Sequence, residues 1–223
     1  MSTTQMLERP VLIPAGHLRL PGELIIPDQA RGVVLFAHGS GSSRLSPRNR
    51  AVARVLQTAG IGTLLFDLLT DVESRDHAAV FDLLRLTERL LAATDWIVEQ
   101  PDGQLPLGYF GASTGAGAAL MAAATSERRI GAVVSRGGRP DLAGDWLLRV
   151  EAPTLLIVGG LDTAVLSLNQ LALAQLHCPR RLEVVPGATH LFEEPGTLEQ
   201  VADLARDWFV RYLGPTAPPG ILP

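Results

Sequence analysis

The chain has 223 residues, 47% hydrophobic and 19% charged, a composition typical of a folded domain with a sizeable core rather than of a disordered segment. Its formal net charge of −4 gives no general attraction to nucleic acids or anionic membranes. All 19 basic residues are arginines, which excludes Schiff-base chemistry through a lysine, and the single cysteine, Cys178, precludes an intramolecular disulfide.

Apolar runs alternate with amphipathic stretches, and this alternation predicts strands separated by helices. Residues 32–39 form a continuous apolar run rich in β-branched side chains, which predicts a strand buried on both faces. Ser46 followed by Pro47 predicts the start of a helix, and Gly60 predicts its end. The other elements predicted in this half are two short extended segments around a Pro-Gly turn (17–27), a buried strand (60–69) and a long helix (78–99).

The second half continues the alternation. Its predicted strands cover 106–113, 130–138, 153–160 and 180–187, and its predicted helices cover 114–125, 141–148, 168–176 and 197–213. Thr197 and Gln200 have the spacing of a capping box at the start of the last helix. The whole pattern predicts an α/β fold of three layers, with a mostly parallel, doubly wound sheet of about seven to eight strands. Residues 1–223 are expected to form one domain, of which 214–223 are an irregular tail.

Ligands of such sheets bind beyond the carboxyl ends of the strands, so functional residues are expected directly after apolar runs. Ser113 lies there in a Gly-x-Ser-x-Gly pattern, between a strand and an alanine-rich helix, which is the context of a nucleophile elbow. A serine hydroxyl needs an adjacent base, and the base needs a partner that fixes its tautomer. His190 and Asp162 follow the last two strands and can supply these roles. In chain order the three residues are Ser, Asp and His, 49 and 28 residues apart.

Two backbone N–H groups are candidates to stabilise an oxyanion. One belongs to Thr114, at the start of the helix after Ser113. The second is predicted to belong to Ser40, in the sequence "HGSG" that follows the strand at 32–39. Removing one such donor typically costs about 3 kcal/mol of activation free energy, so the geometry of this glycine-rich loop matters.

On these segments the chain resembles an α/β-hydrolase, and more narrowly the dienelactone hydrolase-like branch of small hydrolases without a lid. The resemblance covers essentially the whole chain, through "VVLFAHGSGSSRLSPRN", "GYFGASTGAG", "LLIVGGLD" and "VVPGATHLFEEPG". It implies Ser113 as nucleophile, Asp162 as acid, His190 as base, and Ser40 and Thr114 as oxyanion donors. Dienelactone hydrolases proper carry cysteine as nucleophile. The resemblance therefore implies the fold and acyl-transfer chemistry. With serine at the nucleophile position, as in carboxylesterases, thioesterases and peptidases, it does not imply the dienelactone substrate.

Only about 13 residues separate "SRGGR" from "APTLLIV", where many α/β-hydrolases insert a helical lid. No lid domain is therefore expected, and the site should be open and suited to small or flexible substrates. Four arginines lie on the strand-end loops: Arg44, Arg48, Arg136 and Arg139. Either they are solvated charges paired with acids such as Asp141 and Glu194, or one or two of them bind a carboxylate or phosphate of the substrate. Arg136 is the first candidate for substrate binding, followed by Arg44.

Two further polar residues at strand ends are assigned to the scaffold. His38 is expected to hold its loop by hydrogen bonding, and Asp67, which precedes the nucleophile in the chain, is expected to anchor a loop rather than to serve as the catalytic acid. No cluster has metal-ligand spacing, so neither a metal nor a cofactor is predicted.

The predicted activity is that of a serine hydrolase that cleaves a small ester, thioester or lactone through an acyl-enzyme on Ser113. One alternative is an acyltransferase that uses the same residues; another is a non-catalytic protein that binds a small ligand in the same cleft. The N-terminal sequence lacks the pattern of a signal peptide, and no apolar run approaches the length of a membrane span. We therefore expect a soluble, cytoplasmic monomer or homodimer that binds neither nucleic acid nor membrane.

Overall fold

The computed structural model describes residues 6–214, which form one eight-stranded sheet flanked by helices. The strands are β1 (Met6–Ala15), β2 (Leu18–Pro27), β3 (Val33–Ala37), β4 (Gly62–Phe66), β5 (Leu107–Ala112), β6 (Ile130–Arg136), β7 (Thr154–Gly159) and β8 (Arg180–Val185). Their order across the sheet is β1-β2-β4-β3-β5-β6-β7-β8. The strands from β4 to β8 in this order run parallel, and β1 and β2 run antiparallel at one edge. The predicted α/β fold class is confirmed.

Residues 6–214 contain six α-helices: α1 (Pro47–Thr58), α2 (His77–Val80), α3 (Leu83–Val98), α4 (Thr114–Thr125), α5 (Thr163–Gln175) and α6 (Thr197–Leu213). The apolar sides of α1 and α6 pack on one face, where Leu56 and Phe209 are fully buried. Helices α3, α4 and α5 pack on the other face, with Leu90, Leu120 and Ala172 in its core. Because both faces are covered, the central strands β3, β5 and β7 are buried along their whole length, as their continuous apolar runs predict.

The N-terminal hairpin differs from the prediction of two short segments around a Pro-Gly turn. The hairpin turns instead at Gly16, which adopts a φ of +60°, and Pro21 and Gly22 lie within β2. Little room is left for a side chain at Gly22, because a Cβ at this position would lie 3.0 Å from both Phe66 Cβ and Val11 Cγ2. Strand β1 carries two prolines, which an edge strand tolerates. Because prolines are unusual in strands, the sequence pattern does not predict this strand.

Three predictions about where and how helices start are also corrected, the first being that α5 begins at Thr163 and not at residue 168. The helix predicted over 78–99 is two helices, because Asp82 interrupts it and caps α3 by accepting a hydrogen bond from the Arg85 N–H. At the start of α6 the predicted capping box does not form. The N-cap is Gly196, in the left-handed region at φ +81°, and the Thr197 hydroxyl donates to the Glu194 carbonyl. The capping by Ser46 in α1 is confirmed, since its side chain accepts from the Asn49 N–H.

The chain between β6 and β7 contains a 3-10 helix (Pro140–Arg149) with a kink at Gly144, where φ is +53°. This segment packs against α4 and α5 and forms no separate lid over the sheet edge. Within residues 6–214, no helix is long and apolar enough to cross a membrane. The tail predicted over 214–223 lies, apart from Gly214, outside the described residues.

Candidate active site

Ser113 lies at the turn between β5 and α4 in a backbone conformation that residues other than glycine rarely adopt. Its φ and ψ are +51° and −122°, outside the regions favoured by non-glycine residues. Strain of this kind costs on the order of 1–3 kcal/mol and is found at functional sites. Backbone hydrogen bonds hold the turn: the Ser113 N–H donates to the Arg136 carbonyl at 3.3 Å, and the Arg139 N–H donates to the Ser113 carbonyl at 3.0 Å. The predicted elbow is therefore present, with its serine half-buried.

Glycines around Ser113 let the neighbouring backbones approach closely. A Cβ at Gly115 would lie 2.1 Å from the Ala37 carbonyl oxygen, and one at Gly111 would lie 2.4 Å from Ala116 Cα. A Cβ at Gly39 would lie 2.8 Å from Ser113 Cβ. The first two glycines belong to the Gly-x-Ser-x-Gly pattern and the third to "HGSG". The two motifs are thus in direct contact, which explains why both need glycine at these positions.

His190 and Asp162 meet at the same edge of the sheet, at the carboxyl ends of β8 and β7. His190 Nδ1 lies 2.6 Å from Asp162 Oδ2. The Asp162 side chain is 14% exposed and that of His190 is 39% exposed, so the carboxylate lies beneath the imidazole. If Nδ1 donates to the carboxylate, Nε2 is left as an acceptor that faces outward from this pair. This arrangement fixes the tautomer that a general base requires.

The loop that carries His190 is held by hydrogen bonds of its own. The Thr189 N–H and hydroxyl both donate to the Glu194 carboxylate, at 3.1 and 2.6 Å. These bonds, chiefly the one from the hydroxyl, lower the pKa of Glu194. Next to it, Phe192 is buried and has a φ of +55°. On the sequence alone, Glu194 is a candidate partner for an arginine. The structure pairs it instead with Thr189 of the same loop.

Ser113 and His190 both adjoin the short segment 136–139. Ser113 is bonded to its two ends, as described above, and a Cβ at Gly137 would lie 3.0 Å from the His190 carbonyl oxygen and 3.6 Å from its Nδ1. Among the described residues, the hydrogen bonds do not include one between the Ser113 hydroxyl and His190. The hydrogen bond between a nucleophile and its base is often long before substrate binds. The contacts of Ser113 and His190 with segment 136–139 therefore agree with the predicted pairing of the two residues.

The loop predicted to supply an oxyanion donor is attached to the elbow by a side chain. The Ser40 N–H donates to Thr114 Oγ1 at 3.1 Å, and Thr114 itself is almost fully buried. The two predicted donors therefore belong to neighbouring groups, although the Ser40 N–H is engaged with the Thr114 hydroxyl. The sequence pattern contains no signal for this contact, since it leaves the residue after the serine unspecified.

His38 and Asp67 hold the surrounding loops together, as predicted. The Leu68 N–H donates to His38 Nε2 at 2.9 Å, and His38 Nδ1 lies 3.0 Å from the Gly39 carbonyl oxygen. This places the proton on Nδ1, and burial lowers the pKa of the ring, so His38 is neutral and both nitrogens are occupied. Asp67 accepts hydrogen bonds from the Arg44 N–H at 2.7 Å and from its guanidinium. Arg44, a predicted substrate ligand, is thus paired with a loop anchor.

Three of the four strand-end arginines have acidic partners. In addition to the Arg44 pair, Arg139 forms two hydrogen bonds to Asp141, and Arg48 Nη1 lies 3.0 Å from Glu193. Arg136 differs from them. It is 8% exposed, and its Nε and Nη1 are buried without a hydrogen-bond partner in residues 6–214. Burial, with a smaller contribution from the charge of Arg48, lowers its pKa to about 10.

The fold and the site can be compared with known structures. A dienelactone hydrolase from Anabaena variabilis is 56% identical, with a TM-score of 0.90 over 93% of this chain and 99% of that one. The chain belongs to the dienelactone hydrolase-like family of α/β-hydrolases. At this identity the family membership covers the sheet, its flanking helices and the strand-end loops together.

Solved structures of lower identity share the fold alone. Est1E from Butyrivibrio proteoclasticus is 18% identical, with a TM-score of 0.79 over 92% of this chain. The dienelactone hydrolase-like promiscuous phosphotriesterase P91, from metagenomic libraries, is 19% identical with a TM-score of 0.76 over 93% of this chain. Among these relatives the same scaffold therefore carries proteins named for different hydrolytic activities. No family model matches the chain.

A longer relative carries a different name. A protein from Mycobacterium tuberculosis strain H37Rv, named provisionally as a phosphoribosyl transferase, is 61% identical over 211 residues. The match covers 94% of this chain but 48% of that protein, so the chain spans about half the length of the curated relatives it matches.

Proposed function

We propose that this protein is a serine hydrolase that cleaves a small ester, thioester or lactone, with Ser113 as nucleophile, His190 as base and Asp162 as its partner. The observation that carries this proposal is the strained conformation of Ser113 at the turn between β5 and α4. Family membership supports hydrolysis of the esterase kind. The contact between Asp162 and His190 supplies the oriented imidazole that the reaction needs.

The first half of the reaction forms an acyl-enzyme. Ser113 Oγ attacks the substrate carbonyl carbon while His190 Nε2 takes the hydroxyl proton. The carbonyl oxygen becomes an oxyanion, to which the Thr114 N–H donates from the start of α4. The Ser40 N–H can donate as well once it shares or releases the Thr114 hydroxyl. The imidazolium is stabilised by Asp162 and then protonates the leaving alcohol or thiol as the C–O or C–S bond breaks.

The second half returns the enzyme to its starting state. His190 Nε2 accepts a proton from water, whose oxygen attacks the acyl carbon. The resulting oxyanion is held by the same donors, and Ser113 leaves with the proton from His190. The products are a carboxylic acid and the free serine, so neither an oxidant nor a cofactor enters the balance. Because no lid covers the sheet edge between β6 and β7, the proposed substrates are esters, thioesters or lactones with small or flexible acyl groups.

The name of the mycobacterial relative does not conflict with this proposal. That name applies to a protein about twice as long as the matched part, and it need not describe the half that this chain matches. We assign hydrolysis to this chain on the evidence of its own fold and strand-end residues.

Active-site labelling combined with turnover tests the proposal. A fluorophosphonate should label wild-type protein at Ser113, and short-chain 4-nitrophenyl esters, thioesters and lactones should be hydrolysed by wild type but not by Ser113→Ala. Ser126→Ala, at the far end of α4, is the matched control and should keep both properties. Absence of labelling in folded protein would favour a non-catalytic ligand-binding role. Transfer of the acyl group to an added alcohol or amine in preference to water would favour an acyltransferase.

A further inference from the structure

Arg136 lies in a position that is costly unless a ligand satisfies it. It ends β6 at the carboxyl edge of the sheet, with 8% of its surface exposed. Its Nε and Nη1 have no partner in the described chain. A buried charge without a partner destabilises a fold, and arginine stays ionised near neutral pH even when its pKa is lowered. The scaffold therefore gains nothing evident from a guanidinium at this position.

The surroundings of Arg136 add positive charge instead of neutralising it. Arg48 is close enough to lower the pKa of Arg136, and its own Nε is buried without a partner in residues 6–214. Glu193 pairs with the other side of Arg48 and is largely exposed. Arg48 is in the first turn of α1, where no acidic residue counters the positive end of the helix. Two neighbouring guanidinium groups thus favour an anion here.

This cationic site adjoins each part of the proposed catalytic machinery. The carbonyl of Arg136 accepts the hydrogen bond from the Ser113 N–H. Helix α1, which carries Arg48, directly follows the loop that contains Ser40. Glu193, the partner of Arg48, is three residues beyond His190. The main chain of Arg136 is therefore bonded directly to that of the proposed nucleophile.

We propose that Arg136, assisted by Arg48, binds an oxyanion group of the substrate, a carboxylate or a phosphate, while Ser113 attacks the ester bond. The inference rests on the proposed function and narrows its substrates to anionic esters, thioesters or lactones. Desolvated contacts between a guanidinium and an oxyanion are among the stronger hydrogen bonds in proteins, and the fork of arginine donors matches both groups.

Three 4-nitrophenyl esters whose acyl chains end in a methyl, a carboxylate or a phosphonate group test this specificity. Wild type is expected to prefer one or both anionic esters by roughly 10- to 100-fold in kcat/KM, the value of a charged hydrogen bond. Arg136→Met should lose this preference, with kcat/KM on the anionic esters falling toward the value on the neutral ester. Arg128→Met is the matched control, because Arg128 precedes β6 at the opposite edge and is exposed. The larger preference identifies carboxylate or phosphate as the group bound.

Binding measured without turnover separates this inference from the proposed function. Calorimetry on Ser113→Ala with glutarate and with inorganic phosphate should detect binding that Arg136→Met removes and Arg128→Met retains. Turnover by Ser113→Ala would contradict the proposed function and leave this binding result standing. Equal kcat/KM for the three esters together with no binding of either anion would overturn the inference alone.

The stability of Arg136→Met provides a further readout. If Arg136 serves a ligand, methionine should leave the free energy of unfolding unchanged or raise it, because the buried charge is removed. A marked loss of stability, with all three esters affected equally, would show a structural role and overturn the inference.

Discussion

The Ser40 main-chain nitrogen lies 3.1 Å from the Thr114 hydroxyl oxygen, 74 residues further along the chain. This contact joins the loop after β3 to the first residue of α4, which follows the proposed nucleophile directly. The Ser40 N–H, one proposed oxyanion donor, is thus held by the side chain of Thr114, whose own N–H is the other proposed donor. The Thr114 hydroxyl is therefore a positioning group for the Ser40 amide.

Replacement of Thr114 by valine should slow the chemical step. Valine has nearly the same shape but cannot accept the hydrogen bond from the Ser40 N–H, so the glycine-rich loop loses its attachment. We expect kcat to fall by roughly tenfold, less than the loss on removing a donor outright, with little change in KM. Thr114→Ser retains a hydroxyl and should rescue kcat. A valine variant that is faster than wild type would instead indicate that the hydroxyl competes with the oxyanion.

Replacement of Ser113 by glycine should stabilise the fold while abolishing hydrolysis. Glycine adopts a φ of +51° without steric cost, so the free energy of unfolding should rise by about 1 kcal/mol relative to Ser113→Ala. Urea denaturation of the two inactive variants measures this difference. Equal stability would mean that the surrounding hydrogen bonds, not the φ angle, set the energy of the turn.

Glu73 should control the stability of the protein in acid. It accepts hydrogen bonds from Arg89 at 2.6 and 2.7 Å, and these are the main cause that lowers its pKa to about 2. Since the pKa of Glu73 in the folded protein lies below the usual 4.5, its ionised carboxylate stabilises the folded state fully above pH 4.5. This contribution to the free energy of unfolding is lost as the pH falls toward 2. Glu73→Gln should lower the free energy of unfolding at pH 7 by roughly 1–3 kcal/mol.

The difference between wild type and Glu73→Gln should also shrink between pH 4.5 and 2. Denaturation at pH 7, 4.5 and 3 measures it. The exposed Glu88 on α3 provides the control, and Glu88→Gln should change neither the stability nor its dependence on pH. A constant difference between Glu73→Gln and wild type at all three pH values would contradict the assignment.

Gly39→Ala should damage catalysis without preventing folding. The added methyl would lie 2.8 Å from Ser113 Cβ and 2.9 Å from the Ala112 carbonyl oxygen, so the loop must move away from the elbow. We expect kcat/KM to fall by roughly 100-fold, comparable with the loss of one oxyanion donor. Gly41→Ala, in the same loop, adds a methyl with no atom within 4 Å but at a φ of +67°, so it strains the loop without this clash and should lose less activity. Similar losses in both variants would show that loop flexibility matters more than this contact.

The order of strands and helices from β3 onward was predictable because each strand is an apolar run bounded by residues with defined backbone roles. Helix α4 has the predicted bounds, since Ser113 and Ser126 stand outside it. The N-terminal hairpin was not predictable in the same way. A Pro-Gly pair resembles a turn, and only the closeness of Phe66 in the neighbouring strand shows why glycine lies inside β2.

The candidate site divides along similar lines. Chain order and strand ends predict that Ser113, Asp162 and His190 lie at one edge of the sheet, and the 2.6 Å contact between Asp162 and His190 agrees with that prediction. The sequence ranks Arg136 ahead of Arg44, because Arg136 follows an apolar run directly, but it does not show that Arg44 has an acidic partner and that Arg136 lacks one among the described residues. The difference depends on which acidic side chain each one reaches, and this is decided by contacts across the sheet edge.

The contact of Gly39 with Ser113 has a consequence for how such a protein can diversify. The glycine-rich loop lies directly against Ser113 there, so the spacing between the attacking atom and this loop depends on the absence of a side chain at position 39. Substitutions around the rim can then alter which molecules are accepted while the reaction geometry stays constant. Selectivity and chemistry are in this way separable within one small cleft.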